Sequence, residues 1–204
     1  MKTLLAKSDT RITELSNHLN SAHSLTSGGH YKRPQPEREI VTEACFLKLF
    51  ITFEEFLEKS FFHYLTGRMS TVRWRPSKYA KPPTVEHAQR MLAGRQSYVD
   101  WSTPDTVKNR AENYFLDGEP FKTPINSAHQ HWKDMKTVRN STAHMSQNTQ
   151  VKLDNLFKHW TGNVKPGVSV YEVLMSQRLG GGNTFYRESE KCVSTTIHSI
   201  ANWC

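Results

Sequence analysis

The chain has 204 residues, with 27 Lys and Arg against 19 Asp and Glu, so its formal charge is 27 − 19 = +8 at pH 7 and its pI is near 9.4. Apolar residues make up 36% and aromatic residues 11%, values that exclude a membrane-spanning, a collagen-like or a disordered chain. Cys45, Cys192 and Cys204 are widely spaced with no Cys-x-x-Cys; this excludes a disulfide scaffold or structural zinc site and predicts free thiols in a cytoplasmic protein.

Helical periodicity runs along nearly the whole chain. Ile12, Leu15, Leu19 and Ala22 predict a helix over about 9–25, ended by Ser27-Gly28-Gly29. After Pro34 and Pro36, a long helix is predicted from Glu37 to Thr66, closed by Gly67. Val41, Leu47, Phe50, Leu57, Phe61 and Leu65 give it a wide apolar face suited to the centre of a bundle. Pro76, Pro82 and Pro83 forbid a continuous helix over 68–83. Shorter helices are predicted over 84–94 and from Pro104 to Phe115. Thr123-Pro124 then starts a helix whose stripe of Ile125, Ala128, Trp132 and Met135 reaches Arg139. Leu153, Leu156, Phe157 and Trp160 predict another, ended by Gly162. Ser169 caps a short helix reaching about Leu179, and a last helix covers Phe185–Trp203. The fold class is all-α: one helical domain over 1–204, an antiparallel bundle with an insertion over 68–123 between its second and third main helices.

The charge is concentrated. Residues 68–95 hold seven cations (Arg68, Arg73, Arg75, Lys78, Lys81, Arg90 and Arg95) against Glu86 alone, a net 7 − 1 = +6. Trp74 and Tyr79 interleave with them. Aromatic faces among cations can stack bases while the cations track phosphates, so Arg73, Trp74, Arg75, Lys78, Tyr79 and Lys81 are candidate RNA-binding residues. The competing reading is a solvated loop with Trp74 packed on the body.

Val138-Arg139-Asn140-Ser141-Thr142-Ala143-His144 is the stretch that points to chemistry. Arg139 extends an apolar stripe, an expensive place for a permanent cation without a purpose. Asn140, Ser141 and Thr142 are poor helix-interior residues, so a helix break is expected here, with His144 in the first turn of the next helix. A break would let Arg139 and His144 converge. Together they suit RNA cleavage by the ribose 2′-hydroxyl: the imidazole moves the proton and the guanidinium grips the phosphate. No metal or cofactor is needed. His129 and His131, two residues apart, lack the spacing of a zinc pair.

Arg139-Asn140 and Ala143-His144 fit the Arg-Asn…Ala-His form of the HEPN superfamily, which the chain resembles over 37–67 and 124–160. Arg11 and His18 also have a permitted spacing, but Ile12 follows that arginine on an unbroken stripe. The resemblance implies a metal-independent endoribonuclease on an α-helical bundle, leaving 2′,3′-cyclic phosphate and 5′-hydroxyl ends. It implies a homodimer in which two Arg–His pairs build a composite site. It also implies a toxin or antiviral defence effector, with an antitoxin or other inhibitory partner. Glu54, in Glu54-Glu55-Phe56-Leu57, matches a polar position of related members near the Arg–His cleft, so the resemblance implies Glu54 and Asn140 as catalytic candidates beside Arg139 and His144. The alternative is an inactive relative: a helical module that binds nucleic acid or protein without catalysis.

Overall fold

The predicted periodicity becomes helix almost throughout. The computed structural model describes residues 1–94, 99–144 and 146–204, so Arg95 of the basic segment lies outside the described residues. The helices are α1 (Lys2–Ala22), α2 (Gln35–Leu65), α3 (Val85–Ala93), α4 (Pro104–Tyr114), α5 (Lys122–Ala143), α6 (Gln147–Thr161), α7 (Val170–Met175) and α8 (Phe185–Ala201), with one 3-10 turn at Leu116–Gly118. Among the described residues only isolated bridges form, such as Leu25 with Tyr31, and no strand. The fold is all-α, as expected. No helix among the described residues is long and apolar enough to cross a membrane.

The differences from expectation lie at helix ends. Helix α1 starts seven residues before its predicted start, through Lys2-Thr3-Leu4-Leu5-Ala6-Lys7, where good helix formers continue the turn without any cap signal. Helix α7 is shorter than predicted. Ser176 is extended there, and Leu179 N–H donates to Trp160 O at 2.8 Å, which draws the chain away from the helical path.

Two compact units emerge. The first comprises Met1–Asp9, Thr52–Lys133 and Cys192–Cys204. Its core is aromatic: Phe61 lies 5.4 Å from Trp101, 5.0 Å from Phe115 and 5.0 Å from Phe121 between ring centroids. Phe53 meets Trp132 at 4.7 Å. Tyr64 is buried and its hydroxyl donates to Ile200 O at 2.7 Å, which answers the polar atom that its burial would otherwise strand. Helix α2 ends in a left-handed glycine turn: Gly67 (φ 86°) donates to Tyr64 O at 2.9 Å and Arg68 to His63 O at 3.1 Å.

The second unit comprises Thr10–Ile51 and Asp134–Lys191. Phe46, Leu49, Phe50, Met135, Val138, Leu153 and Phe185 are fully buried in it, and Trp160 packs edge-on against Phe185 at 5.1 Å. The Asp154 carboxylate accepts from Gly167 N–H at 3.0 Å and Val168 N–H at 3.1 Å, tying the loop after α6 back to that helix. Cys45 is buried and its thiol is pushed up by that burial, away from the reactive thiolate form.

His23 shows how this unit closes around α2. Thr42 Oγ1 donates to Arg38 O at 2.7 Å, so it accepts from His23 Nε2 at 2.9 Å; this network assigns the Nε2–H tautomer. The imidazole lies parallel to Tyr171, within 8°, at 6.1 Å. Burial, with Arg38 and Arg187 nearby, holds the His23 pKa below that of an ordinary histidine. In the first unit, burial likewise lowers His63, with Arg68 adding to it. A histidine kept neutral by the fold contributes stability that is complete above its unfolded pKa, near 6.5, and is lost as pH falls through the lower folded value. Tm is therefore expected to stay level from pH 8 to 7 and to fall as pH drops below about 6.5 toward 5, with a shallower fall in His23→Gln. A flat Tm across that window in calorimetry would refute this account.

Candidate catalytic helix end and basic loop

Arg139, Asn140 and His144 are carried by the end of α5. The apolar stripe that leads to them is buried as expected: Ile125, Trp132, Met135 and Val138 are fully covered, with Ala128 nearly so. The helix does not break after Arg139. It runs unbroken to Ala143, and His144 N–H still donates to Asn140 O at 2.9 Å. The expected placement of His144 in the first turn of the next helix is thus corrected: it stands just past the C-terminal end of α5, and α6 begins at Gln147.

The reason lies in the residues expected to break the helix. Ser141 Oγ donates to Thr137 O at 3.1 Å and Thr142 Oγ1 to Val138 O at 2.9 Å. Each hydroxyl bonds a carbonyl one turn back on its own helix, sharing that acceptor with the main-chain N–H instead of drawing the backbone into another conformation. Ser141 is only 2% exposed. The turn that follows is built by a capping box not read from the sequence. Ser146 Oγ accepts from Thr149 N–H at 3.2 Å, and Thr149 Oγ1 accepts from Ser146 N–H at 2.8 Å. Its signal, Ser146-Gln147-Asn148-Thr149, was present, but a threonine stands where the motif usually has Glu or Gln. The Thr149 hydroxyl also lies 2.9 Å from His144 O, fixing the backbone that carries the imidazole.

Arg139 is half-buried and His144 exposed. The Arg139 guanidinium donates to Asn140 Oδ1 at 3.3 Å, and among the described residues it pairs with no carboxylate. A half-covered cation without an acid keeps its capacity for an anionic ligand. Glu54 sits half-buried on α2 in the first unit, whereas Arg139, Asn140 and His144 belong to the second. His129 Nε2 lies 2.8 Å from Asp105, which also meets Lys133 at 3.1 Å. These contacts hold the Asp105 carboxyl below its ordinary pKa. Among the described residues no group of three His, Cys, Asp or Glu could hold a metal ion.

Asn140 lies inside the helix, not at a cap. In that position Asn140→Ala is expected to leave stability unchanged or to raise it by about 0.5 kcal/mol, because alanine is the better interior residue. A capping role would instead give a loss of about 1 kcal/mol. Urea denaturation separates the two. If Asn140 holds Arg139 in a phosphate-binding pose, RNA cleavage falls in the same variant.

The basic loop places its candidates unevenly. Arg73, Arg75 and Lys81 are exposed, and among the described residues no acid pairs with them. Trp74 is 58% exposed and Tyr79 64%, so the reading in which Trp74 packs on the body does not hold. Lys78 differs from the rest. It is half-buried, its ammonium bonds Leu65 O at the end of α2, and burial together with Lys81 and Arg75 lowers its pKa. Lys78 therefore caps α2, a role that leaves little of its charge for phosphate.

No family model matches this chain, and neither a curated protein nor a solved structure matches it.

Proposed function

We propose that the protein is a metal-independent endoribonuclease of HEPN type, with Arg139 and His144 as catalytic residues and Asn140 as the residue that positions Arg139. The observation that carries this reading is a half-buried arginine that pairs with no carboxylate among the described residues, five residues from an exposed histidine at the end of one helix. The imidazole takes the proton from the ribose 2′-hydroxyl or gives one to the departing 5′-oxygen. The guanidinium holds the scissile phosphate and offsets the charge that grows on it. The products are a 2′,3′-cyclic phosphate and a 5′-hydroxyl. A toxin or defence role, held in check by an inhibitory partner in the cytoplasm, follows from the same resemblance.

The resemblance also favours a site shared between two chains. Arg139 lies on α5 and His144 just past its end, and a homodimer can bring the arginine of one protomer to the histidine of its partner.

The test is cleavage of single-stranded RNA by the purified protein in EDTA, followed by end analysis. Cyclic-phosphate ends, no cleavage of a 2′-deoxy substrate, and loss of cleavage in His144→Ala are expected. Equal cleavage by the wild type and His144→Ala would overturn the assignment.

The basic loop favours a second reading, a non-catalytic nucleic-acid-binding module. It predicts salt-sensitive RNA binding with no scission.

A further inference from the structure

We propose that the loop from Ser70 to Lys81 is a docking platform for single-stranded RNA, on which bases stack against Trp74 and Tyr79 while Arg73, Arg75 and Lys81 hold the phosphates. The proposal rests on the reading of RNA as the ligand, and it names the strandedness of that RNA and the residues that select it.

The aromatic rings are held outward by an ordered backbone. Ser70 N–H donates to Trp74 O at 2.8 Å, Arg73 N–H to Ser70 O at 3.2 Å, and Trp74 N–H to Ser70 Oγ at 3.1 Å, closing a tight turn. Thr71 N–H ties that turn to Ala201 O at 2.9 Å. Further along, Tyr79 N–H donates to Tyr114 O at 3.0 Å and Leu116 N–H to Ser77 O at 2.9 Å, while Lys78 bonds Leu65 O. A loop anchored at this many points is ordered before any ligand arrives, and preorganisation lowers the ordering cost of binding. Its rings nonetheless stay more than half exposed, at 58% and 64%, although an aromatic side chain usually gains most by burial.

Arg73 adds an independent sign. Its φ is 69°, in the left-handed region, where a residue with a Cβ is disfavoured and glycine is not. The turn would close more easily with glycine, yet an exposed arginine stands there between Val72 and Trp74. Strain held at an exposed cation that meets no acid among the described residues is explained by a contact that the cation makes with a ligand. Duplex RNA keeps its bases stacked on one another and offers no free base face; a single strand offers one at every nucleotide. Exposed rings flanked by cations therefore select the single strand.

The experiment uses the full wild-type chain and a 2′-O-methyl RNA 20-mer, which cannot be cleaved through its 2′-oxygen. Binding is measured by fluorescence anisotropy for the strand alone and for the strand annealed to its complement. The single strand is expected to bind at least 10-fold more tightly. Trp74→Ala should weaken it by roughly 5- to 150-fold, the range for one lost base stack, with Tm unchanged because the ring is exposed. Arg73→Gly should move two observables in opposite directions: Tm rises as strain is relieved, and RNA affinity and its salt slope fall, the slope by about 0.7. Unchanged affinity in Trp74→Ala, a preference for duplex, or Arg73→Gly that binds like the wild type would each overturn the platform. Binding to anionic vesicles with none to RNA would overturn it too. Binding as expected with no cleavage of ordinary RNA would sink the nuclease and leave the platform standing. Cleavage that persists while Trp74→Ala binds normally would do the reverse.

Discussion

Replacing His144 with alanine is expected to lower RNA cleavage by about 10²–10⁴-fold, the usual contribution of a positioned acid or base, with little change in stability. The side chain is exposed, and the bond from its N–H to Asn140 O belongs to the backbone, so alanine keeps it. Exposed substitutions of this kind stay within about 0.5 kcal/mol. Arg139→Lys retains the charge but loses the planar fork that grips two phosphate oxygens, so a large drop is expected there as well. The decisive measurement mixes two inactive variants. If each site joins Arg139 of one protomer to His144 of its partner, a mixed dimer of Arg139→Ala with His144→Ala contains one intact site. Half the dimers are mixed and one of two sites is whole, so about a quarter of wild-type activity returns in this two-fold arrangement. If each chain builds its own site, no activity returns. Recovery is the result expected of a site shared between the two protomers.

Trp132→Ala is expected to cost about 3–5 kcal/mol of stability. Trp132 is fully buried and packs on Phe53 at 4.7 Å. It lies three residues before Met135 and seven before Arg139 on the stripe that seats α5. At roughly 2–4 °C per kcal/mol for a chain of this size, Tm should fall by about 6–20 °C. Trp132→Phe should be milder. Among the described residues the Trp132 indole Nε1 is buried without a hydrogen-bond partner, so phenylalanine removes an unsatisfied donor along with the volume. Chemical denaturation of both variants measures the difference; an equal loss in the two would show that the indole nitrogen has a partner in solution.

The helices were legible because burial along them is periodic. Trp132, Met135 and Val138 repeat at three-residue spacing, and Phe50, Leu57, Phe61 and Leu65 mark the buried side of α2 at spacings of seven and four. Such a pattern survives without knowledge of the partner surface. The end of α5 was less legible. Asn140, Ser141 and Thr142 read as breakers by propensity, which speaks only of local competition for backbone hydrogen bonds. Propensity does not register that Ser141 is buried, or that Ser141 and Thr142 turn their hydroxyls back onto Thr137 and Val138 of the same helix.

The basic loop divides the same way. Sequence alone located the excess charge in residues 68–95 and placed Trp74 and Tyr79 within it, because charge and composition are additive along the chain. It could not rank those residues, since Lys78, Arg73 and Arg75 count alike in a charge sum. Tertiary structure decided that Lys78 closes the end of α2, that Arg73 adopts a left-handed backbone, and that Trp74 and Tyr79 face solvent. Each of those outcomes depends on which backbone groups meet across the fold, and contacts between residues distant in sequence leave no periodic trace in it.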